Sequence, residues 1–306
     1  MDIFLTLFVN LLPLYGLIAL GYIAGKFCGI ERNSLANFAI YILMPAVGFG
    51  YIGQMDLKLS YALLPIFYFV VATIVGLGFL QIGKMVYGDS RANIIGLCAS
   101  MGNTGYMGLP LALLLFDEHI VALYIFTMMG GNMYEATFGY YLAARGNFDV
   151  RQSLMKLAKF PTLYAIILGL LYNALGGEFS TQALNYLDYF KGAYVIVGMM
   201  IIGIAMTAIK RFEIGWRFIA LSLSGKIILM PLLVIGAVML DKNIWGIFSG
   251  DIHNALIIMS IVPPAANIAA FASQMNVHPE KAATTILLST IFALFYIPLI
   301  VMVMGI

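Results

Sequence analysis

The chain has 306 residues, of which 62% are hydrophobic and 10% are charged, and its formal net charge is +2. This composition excludes an ordinary soluble domain, and the small net charge leaves no basic face for nucleic acid. The two cysteines, Cys28 and Cys98, have no neighbouring cysteine or histidine at metal-ligand spacing, so neither a disulfide framework nor a zinc site is expected. The sequence therefore predicts an all-α membrane protein without a cofactor.

Long apolar stretches follow one another along the chain. Each needs roughly 20 residues to cross about 30 Å of hydrocarbon. The first is interpreted as a retained span, because the residue before it is the acidic Asp2 and no basic segment precedes it. The ten predicted spans are residues 3–25, 34–53, 60–83, 91–116, 119–142, 160–177, 190–209, 215–240, 251–276 and 281–304.

The basic residues are unevenly divided between the two sides of these predicted spans. With the N-terminus outside, twelve fall in inside loops and three in outside loops, and the sixteenth, Lys226, lies within a span. Because cytoplasmic loops carry the excess of Lys and Arg, both termini are expected outside the cytoplasm, in a bacterial cytoplasmic membrane. The inside set is Lys26, Arg32, Lys84, Arg91, Arg145, Arg151, Lys156, Lys159, Lys210, Arg211, Arg217 and Lys281, and the outside set is Lys58, Lys191 and Lys242.

The longest loop divides the chain into two halves of five predicted spans, residues 1–142 and 160–306. An odd number of spans in each half inserts the second half upside down, which defines an inverted repeat, as in many secondary carriers. The linker, residues 143–159, places Val150, Leu154 and Leu157 on one helical face, which predicts a helix on the inner membrane surface.

Two predicted spans are interrupted by glycine and proline at corresponding positions of the halves. The fourth contains Gly102-Asn103-Thr104-Gly105 and Gly108-Leu109-Pro110, and the ninth contains Pro263-Pro264-Ala265-Ala266-Asn267. Irregular backbone at this depth is tolerated where it is buried in protein or lines a cavity. Matched breaks indicate the binding site of a transporter, whereas the alternative is that they only kink two packed helices.

A helix that restarts after each break would direct its free amides, from about Thr104 to Met107 in the first case, at the break. Such an end behaves as about half a positive charge and attracts anions. If the two broken helices cross at the midplane, a carboxylate is the expected ligand. The predicted substrate-binding residues are Asn103, Thr104, Gly105, Pro263, Pro264 and Asn267.

Glu135 lies in the middle of the fifth predicted span, and Lys226 lies about a third of the way into the eighth. Burying either alone costs about 2.5–3.5 kcal/mol, so each is expected to face a partner or a watery cavity as part of a support or coupling site. They could pair with each other, or Lys226 could extend towards the inner surface. Asn132, one turn from Glu135, could line the same site or only hydrogen-bond a neighbouring helix.

The sequence contains no HExxH, GxSxG or Walker A motif, so an enzyme or an ATP-driven pump is not expected. A cation–proton antiporter would need carboxylates at the breaks, and residues 100–110 and 261–270 contain none. An ion-coupled symporter or antiporter of the same fold and a non-transporting sensor or channel remain alternatives.

Several motifs together resemble the auxin efflux carrier family, which includes plant PIN carriers and bacterial malonate and malate permeases. Pro263 falls where the family has its crossover proline. The other matching motifs are Leu43-Met44-Pro45-Ala46, Gly102-Asn103-Thr104, Met107-Gly108-Leu109-Pro110, the segment Lys226 to Pro231, and Asn276-Val277-His278-Pro279.

The resemblance implies ten helices in two inverted five-helix repeats with crossed broken helices, the fold of bile acid–sodium symporters. It also implies a scaffold of spans 1, 2, 6 and 7, a moving domain of spans 3–5 and 8–10, a homodimer and an organic-anion substrate. Gly102 stands where plant members have proline, and the Pro263-Pro264 doublet and Asn267 also depart from their pattern. A small bacterial carboxylate is therefore expected rather than auxin.

Overall fold

A computed structural model describes residues 3–143, 155, 158–207, 214–274 and 276–306. Within these residues the chain is helical, apart from loops and one isolated β-bridge. The helices are α1 Ile3–Phe27, α2 Arg32–Ile52, α3 Leu63–Tyr87, α4 Arg91–Ser100, α5 Thr104–Leu115, α6 Glu118–Tyr134, α7 Pro161–Ala174, α8 Thr181–Thr207, α9 Trp216–Trp245, α10 Gly250–Ile261, α11 Asn267–Gln274 and α12 Pro279–Met304. After α6 the chain continues as a π-helical turn, Glu135–Gly139, and a helical turn, Tyr140–Ala143.

Six helical segments are long and apolar enough to cross a membrane: α1, α2, α3 with the turn before it, α8, α9 and α12. Helices α5 and α7 are shorter and apolar. These helices confirm the prediction of an all-α, multi-pass membrane protein. The inverted relation between the two halves remains a prediction.

Helix α8 begins earlier than the seventh predicted span, which was placed at 190–209. The structure starts it at Thr181, where the hydroxyl of Ser180 accepts the amide of Ala183 at 3.3 Å. A serine at this position satisfies an amide that has no partner inside the helix. The first turns of α8 are polar, so a search for long apolar stretches does not include them.

The outer surface of the helices is apolar, as a lipid-facing surface must be. On α3, Ile66, Val70 and Ile74 are 58%, 45% and 55% exposed, at a spacing of four residues. The opposite face of α3 buries Ala72 and Val75 completely. Both faces are hydrophobic, because lipid covers one face of the helix and protein covers the other.

In three of the described helices a π-helical turn ends two residues before a proline. The turns are Ala39–Leu43 before Pro45, Thr104–Gly108 before Pro110, and Ser224–Leu229 before Pro231. Proline has no N–H to donate, and its ring collides with the carbonyl one turn back, so a wider turn relieves the collision. Thr104 and Lys226, which the sequence singled out, lie in two of these turns.

Glycines allow α1 and α8 to pack closely. A Cβ atom on Gly21 would overlap the backbone of Met200, and one on Gly203 would overlap the carbonyl of Ile18. Helix α2 packs on α7, α3 packs on α4 and α6, and α9 packs on α4 and α10. The division into a scaffold and a moving domain remains a prediction.

Most of the linker predicted at residues 143–159 lies outside the described residues. The amphipathic pattern of Val150, Leu154 and Leu157 therefore has no structural counterpart here. Five of the basic residues used for the orientation also lie outside the described residues: Arg145, Arg151, Lys156, Lys210 and Arg211.

Candidate functional site

The two interrupted segments are paired through their backbones at residues 101–103 and 263–265, a contact called the crossover. The N–H of Asn103 donates to the carbonyl of Pro263 at 2.8 Å, and the N–H of Ala265 donates to the carbonyl of Met101 at 2.9 Å. Between these bonds Gly102 faces Pro264 in an antiparallel bridge. The two breaks thus satisfy each other's backbone groups, which would otherwise be unpaired at membrane depth.

A cavity of about 230 Å³ lies beside this crossover. It is smaller than the roughly 300–1,000 Å³ of pockets for drug-sized ligands, so it suits a small molecule. Its wall combines apolar side chains of α2 with polar groups of both broken segments and of α6. The predicted site residues in the wall are Asn103, Thr104, Gly105, Asn132, Glu135 and Asn267.

The two prolines contribute to the crossover through their backbones. Pro263 supplies its carbonyl to Asn103, and Pro264 pairs with Gly102, but neither proline side chain is part of the cavity wall. Ala265 lines the cavity from this segment instead. A proline also keeps the residue before it extended, which ends α10 and permits the pairing.

Two buried polar atoms in the cavity wall lack a hydrogen-bond partner among the described residues. They are the amide nitrogen of Asn103 and the hydroxyl of Tyr106, in side chains that are 3% and 7% exposed. A buried donor without an acceptor costs about 1–3 kcal/mol, so such groups are usually satisfied by a ligand or water. Both atoms can donate to an anion.

The restarted helix α5 presents fewer free amides than the sequence predicted. The amides of Met107 and Gly108 donate to the carbonyl of Asn103 at 3.3 and 2.9 Å. Met107 is therefore already satisfied, and the amides that precede the first intrahelical bond are those of residues 104–106. The N-terminus of α5 thus has one free amide fewer than the sequence predicts.

Lys226 is fully buried behind the crossover and is not part of the cavity wall. Its Nζ donates to the carbonyl of Ser260, in the last turn of α10, at 3.0 Å. No ion pair joins Lys226 to Glu135 among the described residues. The ammonium group thus lies at the negative end of a half-helix, which favours a cation, and it does not extend to the surface.

A chain of hydrogen bonds joins three helices at the edge of the cavity. Nη2 of Arg32, the first residue of α2, donates to Oδ1 of Asn267 at 2.9 Å, and Nδ2 of Asn267 donates to Oε1 of Glu135 at 3.2 Å. The oxygen and nitrogen of the Asn267 amide are assigned in this orientation because it gives hydrogen bonds to both Arg32 and Glu135.

Sequence reasoning missed two residues of this region. The sequence pattern places Arg32 only among the inside-loop charges, and it assigns Tyr106 no role. Tyr106 had a usable signal, since it lies between Gly105 and Gly108 inside the restarted segment. Arg32 had none, because its partner is far away in the chain.

Long apolar helices, two paired breaks and a cavity beside them are typical of a multi-pass membrane transport protein. The chain belongs to the membrane transport protein family, known also as the auxin efflux carrier family, whose model matches residues 6–301. This confirms the family that the sequence motifs suggested.

Two similar microbial proteins bear transporter names. The chain is 28% identical over 298 residues to an uncharacterized transporter of Methanocaldococcus jannaschii, covering 92% of this chain and 94% of that one. It is 24% identical over 302 residues to a Rhizobium meliloti protein named "Putative malonate transporter", covering 92% and 91%. It is 22% identical to a mouse lysosomal cholesterol signaling protein, covering 93% of this chain and 36% of that protein. The family and the two microbial relatives are described as transporters and not as enzymes.

Proposed function

We propose that this protein is a secondary transporter that moves small carboxylates across the bacterial cytoplasmic membrane by alternating access. The single observation that carries the proposal is the pair of buried donors, Asn103 Nδ2 and Tyr106 OH, in the wall of a small cavity at the crossover. Both would donate to an oxygen of the substrate, together with the first amides of α5.

The other predicted site residues have distinct roles in this proposal. Thr104 and Gly105 begin the half-helix that stabilises the negative charge, and Asn267 supplies an amide from the second break. Pro263 and Pro264 hold the crossover in shape. Asn132 and Glu135 line the same cavity, and Lys226 balances the negative end of α10 behind the site.

The architecture proposed for transport is the one that the family resemblance implies. Ten helices form two inverted five-helix repeats, with spans 1, 2, 6 and 7 as a scaffold in a homodimer. Spans 3–5 and 8–10 move against this scaffold and carry the crossover. Both termini lie outside the cytoplasm.

The energetics favour export without a coupled ion. At an inside-negative potential, outward movement of one negative charge gains about 2.3 kcal/mol per 100 mV. Uptake of the same anion would have to be driven by a second gradient. The malonate named for the Rhizobium meliloti relative is one small carboxylate that would fit this proposal.

A binding and flux experiment tests the proposal. Purified protein is screened for thermal stabilisation by short mono- and dicarboxylates, and the best ligand is used for counterflow in liposomes. We expect saturable counterflow that Asn103→Ala abolishes or weakens strongly. A well-folded protein that neither binds nor moves any of these acids would contradict the proposal.

An ion-coupled carrier is a second candidate, favoured by Glu135 in the cavity wall. A carboxylate beside the substrate could bind a proton or a sodium ion and couple its movement to that of the substrate. In that case Glu135→Gln would abolish the pH or sodium dependence of counterflow. Counterflow that depends on neither ion in the wild type would exclude coupling.

A further inference from the structure

One edge of the Arg32 guanidinium carries two parallel N–H donors, Nε and Nη2, and only one of them has an acceptor among the described residues. Its Nη2 donates to Oδ1 of Asn267 at 2.9 Å, whereas its Nε is buried and has no acceptor among the described residues. A buried N–H of a charged group without an acceptor costs free energy. The amide of Asn267 offers a single oxygen, and that oxygen binds only one of the two parallel donors.

Another arginine of this chain shows which group satisfies both donors of this edge. Nε of Arg91 lies 2.9 Å from both carboxylate oxygens of Asp89, and Nη2 lies 2.7 Å from Oδ2. The two oxygens of a carboxylate match the spacing of the two N–H groups, so the interaction is bidentate. Arg32 has the donor geometry for a carboxylate but holds an amide.

Arg32 lies next to the cavity, behind the Asn267 side chain that lines it. It interacts electrostatically with Tyr106 and Glu135, which belong to the same wall. The Asn267 amide is held between the arginine and the carboxylate of Glu135 by two hydrogen bonds. The Asn267 side chain thus contacts both the Arg32 edge and the cavity.

We propose that Arg32 is a second anion-binding group of this cavity, and that its Nε–Nη2 edge takes a carboxylate of the transported anion when the Asn267 amide rotates away. The inference rests on the proposed function, since a carboxylate must enter the cavity. One carboxylate of the substrate binds Asn103 at the crossover, and another binds Arg32. An acid with two carboxylates therefore binds more tightly than an acid of equal length with one.

Succinate and butyrate test this proposal, because both have four carbons and they differ by one carboxylate. Affinities for both acids are measured by titration calorimetry on the purified full chain. We expect the wild type to bind succinate at least tenfold more tightly than butyrate. Arg32→Gln should reduce this preference to about onefold, mainly by weakening succinate binding, while butyrate binding changes less than twofold.

Two further variants separate the bidentate interaction from a general charge effect. Arg32→Lys keeps the charge but lacks the paired donors, so it should lose most of the succinate preference. Arg91→Gln, which removes the same kind of edge from an exposed site, should leave the preference unchanged. If Arg32→Gln does not fold, the Arg32→Lys variant and the wild-type preference still test the proposal.

The outcomes distinguish this inference from the proposed function. A wild type that binds both acids equally, or an Arg32→Gln variant that keeps the succinate preference, would overturn the role of Arg32 and leave carboxylate transport standing. A well-folded wild type that binds neither these acids nor other short carboxylates would overturn both.

Discussion

Gly102 and Lys226 are in contact across the crossover, because a Cβ atom on Gly102 would lie 2.8 Å from Nζ and 3.1 Å from Cε of Lys226. The same atom would lie 3.1 Å from Cγ2 of Val262. Lys226 is held in this position by the carbonyl of Ser260, to which it donates at 3.0 Å. A residue larger than glycine at position 102 therefore requires the lysine side chain or its surroundings to shift.

Gly102→Ala should destabilise the protein by about 1–3 kcal/mol, since overpacking and a broken buried hydrogen bond have costs of this order. The measurement is the thermal unfolding midpoint in detergent. Gly236→Ala is the matched control in α9, because nothing lies within 4 Å of a Cβ atom there. Equal midpoints for both variants would mean that the contact with Lys226 is unimportant.

Asn103→Ala should weaken carboxylate binding tenfold or more, while the protein still inserts and purifies. The lost hydrogen bond to a charged ligand contributes about 1.5–3 kcal/mol, and 1.4 kcal/mol corresponds to a factor of ten. Calorimetric titration gives the affinity, and the elution profile confirms folding. Unchanged affinity in a folded variant would place the substrate elsewhere.

Tyr106→Phe should lower carboxylate affinity about fivefold to tenfold, because a neutral donor in the cavity wall is removed without a change of shape. Tyr68→Phe is the matched control. Its hydroxyl is also buried without a partner among the described residues, but Tyr68 does not line the cavity. If both variants bind the ligand equally well, the hydroxyl of Tyr106 does not contact it.

Glu135→Gln and Lys226→Met should have additive effects on transport, because the two residues have different partners. Glu135 accepts from Asn267, and Lys226 donates to the Ser260 carbonyl. Residues that share no partner add within about 0.5 kcal/mol. A double variant that is better tolerated than either single one would restore the direct pairing that the sequence left open.

The orientation can be tested with fused reporters. From the twelve-to-three distribution of basic residues, a reporter after Ile306 should be active outside the cytoplasm, and one inserted near Asn147 should be active inside. Alkaline phosphatase and green fluorescent protein at each position give opposite signals. The reverse pattern would remove the inverted-repeat assignment.

The sequence predicted the breaks because glycine and proline leave a local signal. Gly102, Pro263 and Pro264 interrupt apolar runs, and the structure ends helices α4 and α10 next to them. Which residues of the breaks would pair could not be predicted, since the bond from Asn103 to Pro263 depends on how distant helices pack. The same limit hid the contact of Arg32 with Asn267.

The sequence shows which charged residues are buried, but it does not show which groups they contact. Lys226 was marked by its apolar surroundings, but its partner is a backbone carbonyl, which every residue possesses. For Glu135 the sequence predicts a partner or a watery cavity, and its side chain lies in the cavity wall. Composition shows that a charge needs a partner, and only the fold shows which group that partner is.

The two backbone bonds of the crossover join the breaks into one mechanical unit. A relative shift of only about 1 Å would stretch the bonds from Asn103 to Pro263 and from Ala265 to Met101 beyond hydrogen-bonding distance. Four unpaired backbone groups would then be left at membrane depth, where each costs several kcal/mol. Any large movement of one broken helix must therefore include the other. A ligand bound between them would move together with both.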